Sequence, residues 1–203
     1  MNLFIVFIVS YFLGAIPFAY IMTKLITGKD IRKIGSGNVG ATNAARILGL
    51  KYGFLVAALD ILKGILAVFI ARALILAESP RYFLLIASLL VITGHNWSIF
   101  LRFAGGKGVA ATFGVLVFLY PLPMFFSLAL WLILVVLSRY VSLASIVAAL
   151  AAPILVLIMH RNIYDLVFVS IFAILIIYRH IPNIKRLLKG NENKLKWLGD
   201  GLK

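Results

Sequence analysis

Tyr52-Gly-Phe-Leu-Val-Ala-Ala-Leu-Asp-Ile-Leu-Lys-Gly-Ile-Leu-Ala-Val-Phe-Ile-Ala-Arg-Ala-Leu-Ile-Leu-Ala77 carries only Asp60, Lys63 and Arg72 as charges in an otherwise almost wholly apolar run. Roughly 20 such residues in a helix cross the hydrocarbon core of a bilayer, so the run reads as a membrane span. Asp60 and Lys63 stand i, i+3 on one helix face and can pair. Ionisable groups at that depth are costly, and they mark either a function or a buried ion pair that braces the preceding loop.

Other parts of the sequence have the same character. The chain has 203 residues, 64% of them hydrophobic, and a mean hydropathy of +1.10. No soluble domain needs that much apolar surface. A net charge of +14 could suggest nucleic acid, but the cations lie between apolar runs and in the C-terminal tail, as in a multi-span membrane protein. The absence of cysteine excludes disulfides, thiolate metal sites and cysteine nucleophiles; no metal or cofactor site is expected. No basic region precedes the first apolar run, which reads as a retained span rather than a signal peptide.

The spans follow in order. Asn2 to about Thr23 is the first, with Gly14 and Pro17 permitting a bend. Ala41–Leu48 is a short helix, and Tyr52–Ala77 is the second span. Glu78-Ser-Pro-Arg81 is a turn, and Tyr82 to about Thr93 is the third span. Val109–Leu137 is too long for one span, and Pro121 and Pro123 divide it into two short helices. Leu143–Met159 and Ile163–Tyr178 close the set. The expected fold is therefore an all-α integral membrane protein of about seven transmembrane helices, two of them short. If the divided run is a hairpin that fails to cross, five full spans remain. Either number is odd, so the termini lie on opposite faces. The positive-inside rule puts the N-terminus outside and the C-terminus in the cytoplasm. Residues 1–194 read as one polytopic domain and 195–203 as a basic tail.

That topology gathers polar segments at the cytoplasmic face. The first is Lys33-Ile-Gly-Ser-Gly-Asn-Val-Gly-Ala-Thr-Asn-Ala-Ala-Arg46. Gly35, Gly37 and Gly40 free its backbone to turn N–H groups toward an anion. Ser36, Asn38, Thr42 and Asn43 add polar donors, and Arg46 adds a forked cation suited to phosphate. The second, Gly105-Gly-Lys-Gly108, places Lys107 at a helix start, where dipole and ammonium act together on a phosphate; positive-inside anchoring is the plainer reading. Gly94-His-Asn96, Ser142 and the His180 region join them. His95 and Asn96 otherwise read as interfacial residues, and His180, Asn183 and Arg186 as a solvated exit helix.

Several motif readings fail. Gly35-x-Gly37-x-x-Gly40 matches a dinucleotide fingerprint, but a membrane span precedes it where a strand is needed. Gly105–Gly108 resembles half a Walker loop, yet glycine follows Lys107 where Ser or Thr would hold Mg²⁺. His160-x4-Asp165 has an acyltransferase spacing, but the topology puts it on the outer face; it reads as a loop histidine and a helix-start aspartate.

Together, Gly35–Arg46, Gly105-Gly-Lys-Gly-Val-Ala110 and His180-Ile-Pro-Asn-Ile-Lys-Arg186 with Glu192 resemble the acyl-phosphate:glycerol-3-phosphate acyltransferases, the PlsY family of bacterial membranes. Asp60-Ile-Leu-Lys-Gly64 and Gly94-His-Asn-Trp97 share the likeness, while Thr112 sits one place later than the pattern. The resemblance implies transfer of a fatty acyl group from acyl phosphate to the sn-1 hydroxyl of glycerol 3-phosphate. It implies a multi-pass protein of the bacterial inner membrane, in contact with lipid and with the enzyme that makes acyl phosphate. His95, Asn96, Ser142, His180 and Asn183 would then be catalytic. Gly35, Ser36, Gly37, Asn38, Gly40, Thr42, Asn43, Arg46 and Lys107 would bind phosphate, supported by Asp60, Lys63, Gly105, Gly106, Gly108, Arg186 and Glu192. A mixed anhydride needs little acid catalysis, and no acyl-enzyme nucleophile is evident. The proton acceptor is His95, His180 or a substrate phosphate. A phosphate or organophosphate transporter would also use broken helices and buried charge. Three dissimilar motifs on one face favour the enzyme.

Overall fold

The computed structural model of the chain describes residues 3–76 and 80–195, and every regular element among them is helical. The expected turn at Glu78 and the tail beyond Leu195 fall largely outside those residues. Packing divides the chain into two compact units, Met1–Leu119 and Tyr120–Lys203.

The first unit contains α1 (Leu3–Ala15), α2 (Phe18–Thr27), α3 (Ala41–Leu48), α4 (Leu50–Leu74), α5 (Tyr82–Asn96) and α6 (Val109–Leu119). Helices in lipid gain little from hiding apolar surface against each other, so close backbone approach at small residues holds them together. Gly14 of α1 lies against the Val91 backbone of α5, and Gly94 of α5 against the Tyr11 carbonyl of α1. Gly64 and Gly114 bring α4 and α6 together in the same way. A Cβ at any of these four positions would overlap backbone.

Below the glycine-rich loop sits an apolar plug of Ala19, Ile31, Val39, Ala44, Val56 and Leu101. A 3₁₀ turn, Ile31–Lys33, leads into the loop, and the Asp30 side chain caps it by accepting from the Arg32 N–H. The Arg32 guanidinium grips the Asp30 carboxylate through Nε and Nη2 and donates to the Leu101 carbonyl at 3.1 Å.

The second unit contains α7 (Pro121–Ser138), α8 (Val141–His160), α9 (Ile163–Arg179) and α10 (Ile181–Leu188). Buried polar groups join its helices: Ser127 Oγ donates to Ala148 O at 3.3 Å, and Trp131 Nε1 to Ser145 Oγ at 3.1 Å. His160 ends α8 rather than lying in a loop, and Asp165 stands in the first turn of α9, as the sequence suggests. Asp165 is buried and accepts from the buried Tyr120 hydroxyl at 2.9 Å, while the His160 ring meets Tyr120 edge-on. Both residues therefore belong to an internal brace, because Tyr120 supplies a donor from α7's N-cap position.

Among the described residues, five helical segments are long and apolar enough to cross a membrane: Leu3–Thr27, Leu50–Leu74, Tyr82–Leu101, Pro121–Ser138 and Val141–His160. Ile163–Arg179 and Ile181–Leu188 pass the same length and composition test only when taken together, across a bend of 59°. Val109–Leu119 is a shorter apolar helix. The divided run breaks at Tyr120 as anticipated, but only its first half is short; Pro121–Ser138 has 18 residues. Pro121 and Pro123 lie in the first turn, where a missing N–H costs nothing, so they start a full-length helix rather than truncate one.

Candidate active site

Asn43 organises the glycine-rich loop from within. Its side chain is 1% exposed. Its Oδ1 accepts from the Ser36 N–H at 2.9 Å, while Nδ2 faces the carbonyls of Ile31, Ile34 and Asn38 at 3.3, 3.1 and 3.0 Å. Gly35 has φ +61° and packs on that carboxamide, where a Cβ would overlap Asn43 Oδ1. Asn43 was expected among the phosphate ligands; its amide is instead engaged in shaping the loop, because the chain curls around it. The Gly37 N–H donates back to Ile34 O. The N–H groups of Asn38, Val39, Gly40, Ala41 and Thr42 make no hydrogen bond among the described residues. They run into the N-terminus of α3, whose last turn carries Arg46.

A break in the first span forms a second part of the site. Between α1 and α2 the chain passes through Ile16 and Pro17. The freed carbonyls are satisfied from the segment after α5 and from α4: Ser98 Oγ donates to Ala15 O at 2.6 Å and Lys63 Nζ to Ile16 O at 2.7 Å. Lys63 also pairs with Asp60 at 2.8 Å, with side chains 4% and 3% exposed, and lies over the Phe18 ring at 5.5 Å. His95 brings Nδ1 to 3.6 Å from the same Asp60 oxygen.

The Gly105–Gly108 turn folds onto the C-terminal end of α5. Gly105 N–H donates to Asn96 O at 3.2 Å and Gly106 N–H to His95 O at 3.1 Å. A Cβ on Gly106 would overlap His95 Nε2 and lie 2.5 Å from Val39 O, so this glycine is where the two glycine-rich segments meet. Gly108, at φ +82°, starts α6 against the Asn96 carboxamide. Asn96 is 0% exposed, and both its side-chain polar atoms are without a partner among the described residues. A buried carboxamide in that state costs free energy until something polar meets it.

In the second unit, Glu192 collects three donors. Ser142 Oγ lies at 3.2 Å, Asn183 Nδ2 at 2.7 Å and Arg186 Nε at 2.7 Å. Burial, the largest influence, pushes the Glu192 carboxyl up. The bonds from Asn183 and Arg186, the Arg186 charge and the Ser142 bond outweigh it and hold the group below its ordinary 4.5. The segment carrying Glu192 is tied back by Leu195 N–H to Arg139 O at 2.8 Å. His180 and Asn183 are buried rather than solvated, because α10 turns sharply from α9 instead of leaving it in line. The His180 Nδ1 lies 2.8 Å from Ile176 O. A carbonyl only accepts, so Nδ1 carries the proton at this contact.

The first unit thus assembles the glycine-rich loop, Arg46, Asp60, Lys63, His95, Asn96 and Gly105–Gly108. The second assembles Ser142, His180, Asn183, Arg186 and Glu192. Ser98, which holds the Ala15 carbonyl, and Asp30 with Arg32 were not anticipated as parts of this framework. Asp30 and Arg32 lie two apart in the sequence, a spacing that suits a capped turn. Hydrogen bonding from Arg32 lowers the Asp30 carboxyl to about 2.

Membrane-length helices, a broken first span and buried polar clusters define a polytopic membrane protein with a polar site. Residues 4–190 match the family model described as glycerol-3-phosphate acyltransferase, and the chain belongs to that family. It is 49% identical to glycerol-3-phosphate acyltransferase 2 of Moorella thermoacetica, over 93% of this chain and 95% of that one. The glycerol-3-phosphate acyltransferase of Fusobacterium nucleatum is 42% identical, over 97% of this chain and all of the other. Crystal structures of PlsY (YgiH), an integral membrane glycerol 3-phosphate acyltransferase, superpose closely. Its glycerol 3-phosphate form has a TM-score of 0.88 at 41% identity and 96% coverage of both chains, and its lysophosphatidic acid form a TM-score of 0.85 at 39% identity.

Proposed function

We propose that this protein transfers a fatty acyl group from acyl phosphate to the sn-1 hydroxyl of glycerol 3-phosphate, at the cytoplasmic face of a bacterial inner membrane. The observation that carries the reading is a set of donors without protein partners, in segments that also carry two cations. The N–H groups of Asn38–Thr42 precede Arg46, and the buried Asn96 carboxamide meets the turn that carries Lys107. Unsatisfied donors in segments that carry positive charge suit a phosphate better than a neutral ligand. Family membership supports glycerol 3-phosphate as one source of that phosphate; acyl phosphate supplies the other.

In the reaction, the sn-1 oxygen attacks the acyl carbon, the C–O bond to phosphate breaks, and inorganic phosphate leaves with the electron pair. Lysophosphatidic acid is the product. We assign Ser36, Asn38, Thr42, Arg46, Lys107 and the open amides to phosphate charge, and Asn43 to holding their loop. Ser142, Asn183 and Arg186, kept in place by Glu192, orient glycerol phosphate. His180 Nε2 takes the hydroxyl proton. Positioning and charge stabilisation supply most of the acceleration, because phosphate is already a good leaving group.

Purified protein given palmitoyl phosphate and glycerol 3-phosphate is expected to release phosphate only when both are present, and palmitoyl-CoA is expected not to substitute. Folded protein that releases none overturns the proposal. His180→Gln is expected to lower kcat by about 10²–10⁴-fold; a change of a few fold passes the proton to a substrate phosphate instead.

A further inference from the structure

We infer that Asp60 and His95 are positioning residues that lock the lysine-bearing turn against the glycine-rich loop, and that His95 takes no proton from substrate. The inference rests on the acyltransferase reading only for the identity of the anion.

The contacts form a continuous series. Ile16 O, exposed by the broken span, accepts from Lys63. Lys63 pairs with Asp60, and Asp60 faces His95 Nδ1. The far side of the imidazole packs on Gly106, and the Val39 carbonyl approaches the same point from the glycine-rich loop. Lys107 follows Gly106, and the open amides of the loop flank Val39. Tilting the ring therefore moves the cation and the amides that would share one phosphate.

Space decides between this role and proton transfer. A general base must come within hydrogen-bond reach of the hydroxyl it deprotonates. His95 has one ring nitrogen turned to Asp60 and the other pressed on Gly106. The cavity beside it, among Ala15, Pro17, Val39, Asp60 and Gly106, measures about 10 Å³. That is room for about one water molecule, and not for a glycerol hydroxyl with its carbon. The ring is 8% exposed. Gly106 is required for the same reason: any side chain there would part the two segments.

The test uses full-length protein in detergent, with Asp60→Asn, His95→Gln and the double variant. Glycerol 3-phosphate is the probe, by calorimetric titration and by kinetics. Each single variant is expected to weaken Kd and raise KM at least tenfold, with kcat within a few fold and the pH profile of kcat unmoved. Because Asp60 acts through His95, the double variant is expected to be no weaker than the worse single; independent effects would multiply. A fall in kcat of about 10²–10⁴-fold with KM unchanged overturns the inference and makes His95 the base. Unchanged affinity, or multiplied effects, also overturns it. If Asp60→Asn does not fold, because Lys63 is left buried without its counter-ion, Asp60→Asn with Lys63→Met takes its place. Acyl transfer by the wild-type protein tests the reaction separately, so the two conclusions fail in distinguishable ways.

Discussion

At the residue scale, Asn43 and Glu192 do comparable work with opposite polarity. Asn43 is a neutral hub that faces one N–H and three carbonyls of a curled loop. Replacing it with Ala strands those buried groups, so Asn43→Ala is expected to cost about 2–3 kcal/mol of stability. Denaturant unfolding checks this; a wild-type midpoint with only a raised KM would return Asn43 to the phosphate ligands. Glu192 is an anionic hub with three donors. Its carboxyl titrates below 4.5 when folded, so its contribution is present above the unfolded value and is lost as pH falls through the folded one. As pH falls below the ordinary carboxyl value of 4.5, the melting temperature of the wild-type protein is expected to drop more steeply than that of Glu192→Gln. Parallel curves would remove Glu192 from the account.

At the element scale, the break between α1 and α2 is an interruption of hydrogen bonding that cannot be left unsatisfied in a membrane. Ser98 and Lys63 close it from α5's end and from α4. Lys63→Met removes one cap and also leaves Asp60 buried without its counter-charge. The expected loss is about 3–5 kcal/mol, read by unfolding in detergent. Adding Asp60→Asn removes the stranded charge, and the double variant is expected to be more stable than Lys63→Met alone. Equal stability would mean that the carbonyl cap, and not the ion pair, dominates.

On the scale of the whole molecule, cation placement gives the expected orientation. Most of the cations lie at Lys24–Lys51, Arg102–Lys107, Arg139 and the tail, whereas Arg161 and Arg81 stand on the expected outer face. Because the chain has no cysteine, single substitutions can report topology without background. In intact cells, Arg161→Cys is expected to react with a membrane-impermeant maleimide, while Lys33→Cys and Lys189→Cys react only after permeabilisation. The reverse pattern would invert the protein and place its polar segments outside.

The helical, multi-span class was legible because a long run such as Tyr52–Ala77 has few stable forms outside a bilayer. The Asp60–Lys63 pair was legible from its i, i+3 spacing alone. Arg46 and Lys107 stood out as cations among glycines. What the sequence could not supply were partners distant along the chain. Ser98 holds Ala15, His95 reaches Asp60, and Glu192 gathers Ser142. Nor could it show that Asn43 turns inward while the amides from Asn38 to Thr42 remain open. Local pattern encodes span length and charge, which depend on neighbours within a few residues. The assignment of each polar atom to a partner depends on which helices approach closely. Gly14, Gly64, Gly94 and Gly114 permit those approaches, and only the tertiary structure reveals which backbones meet there.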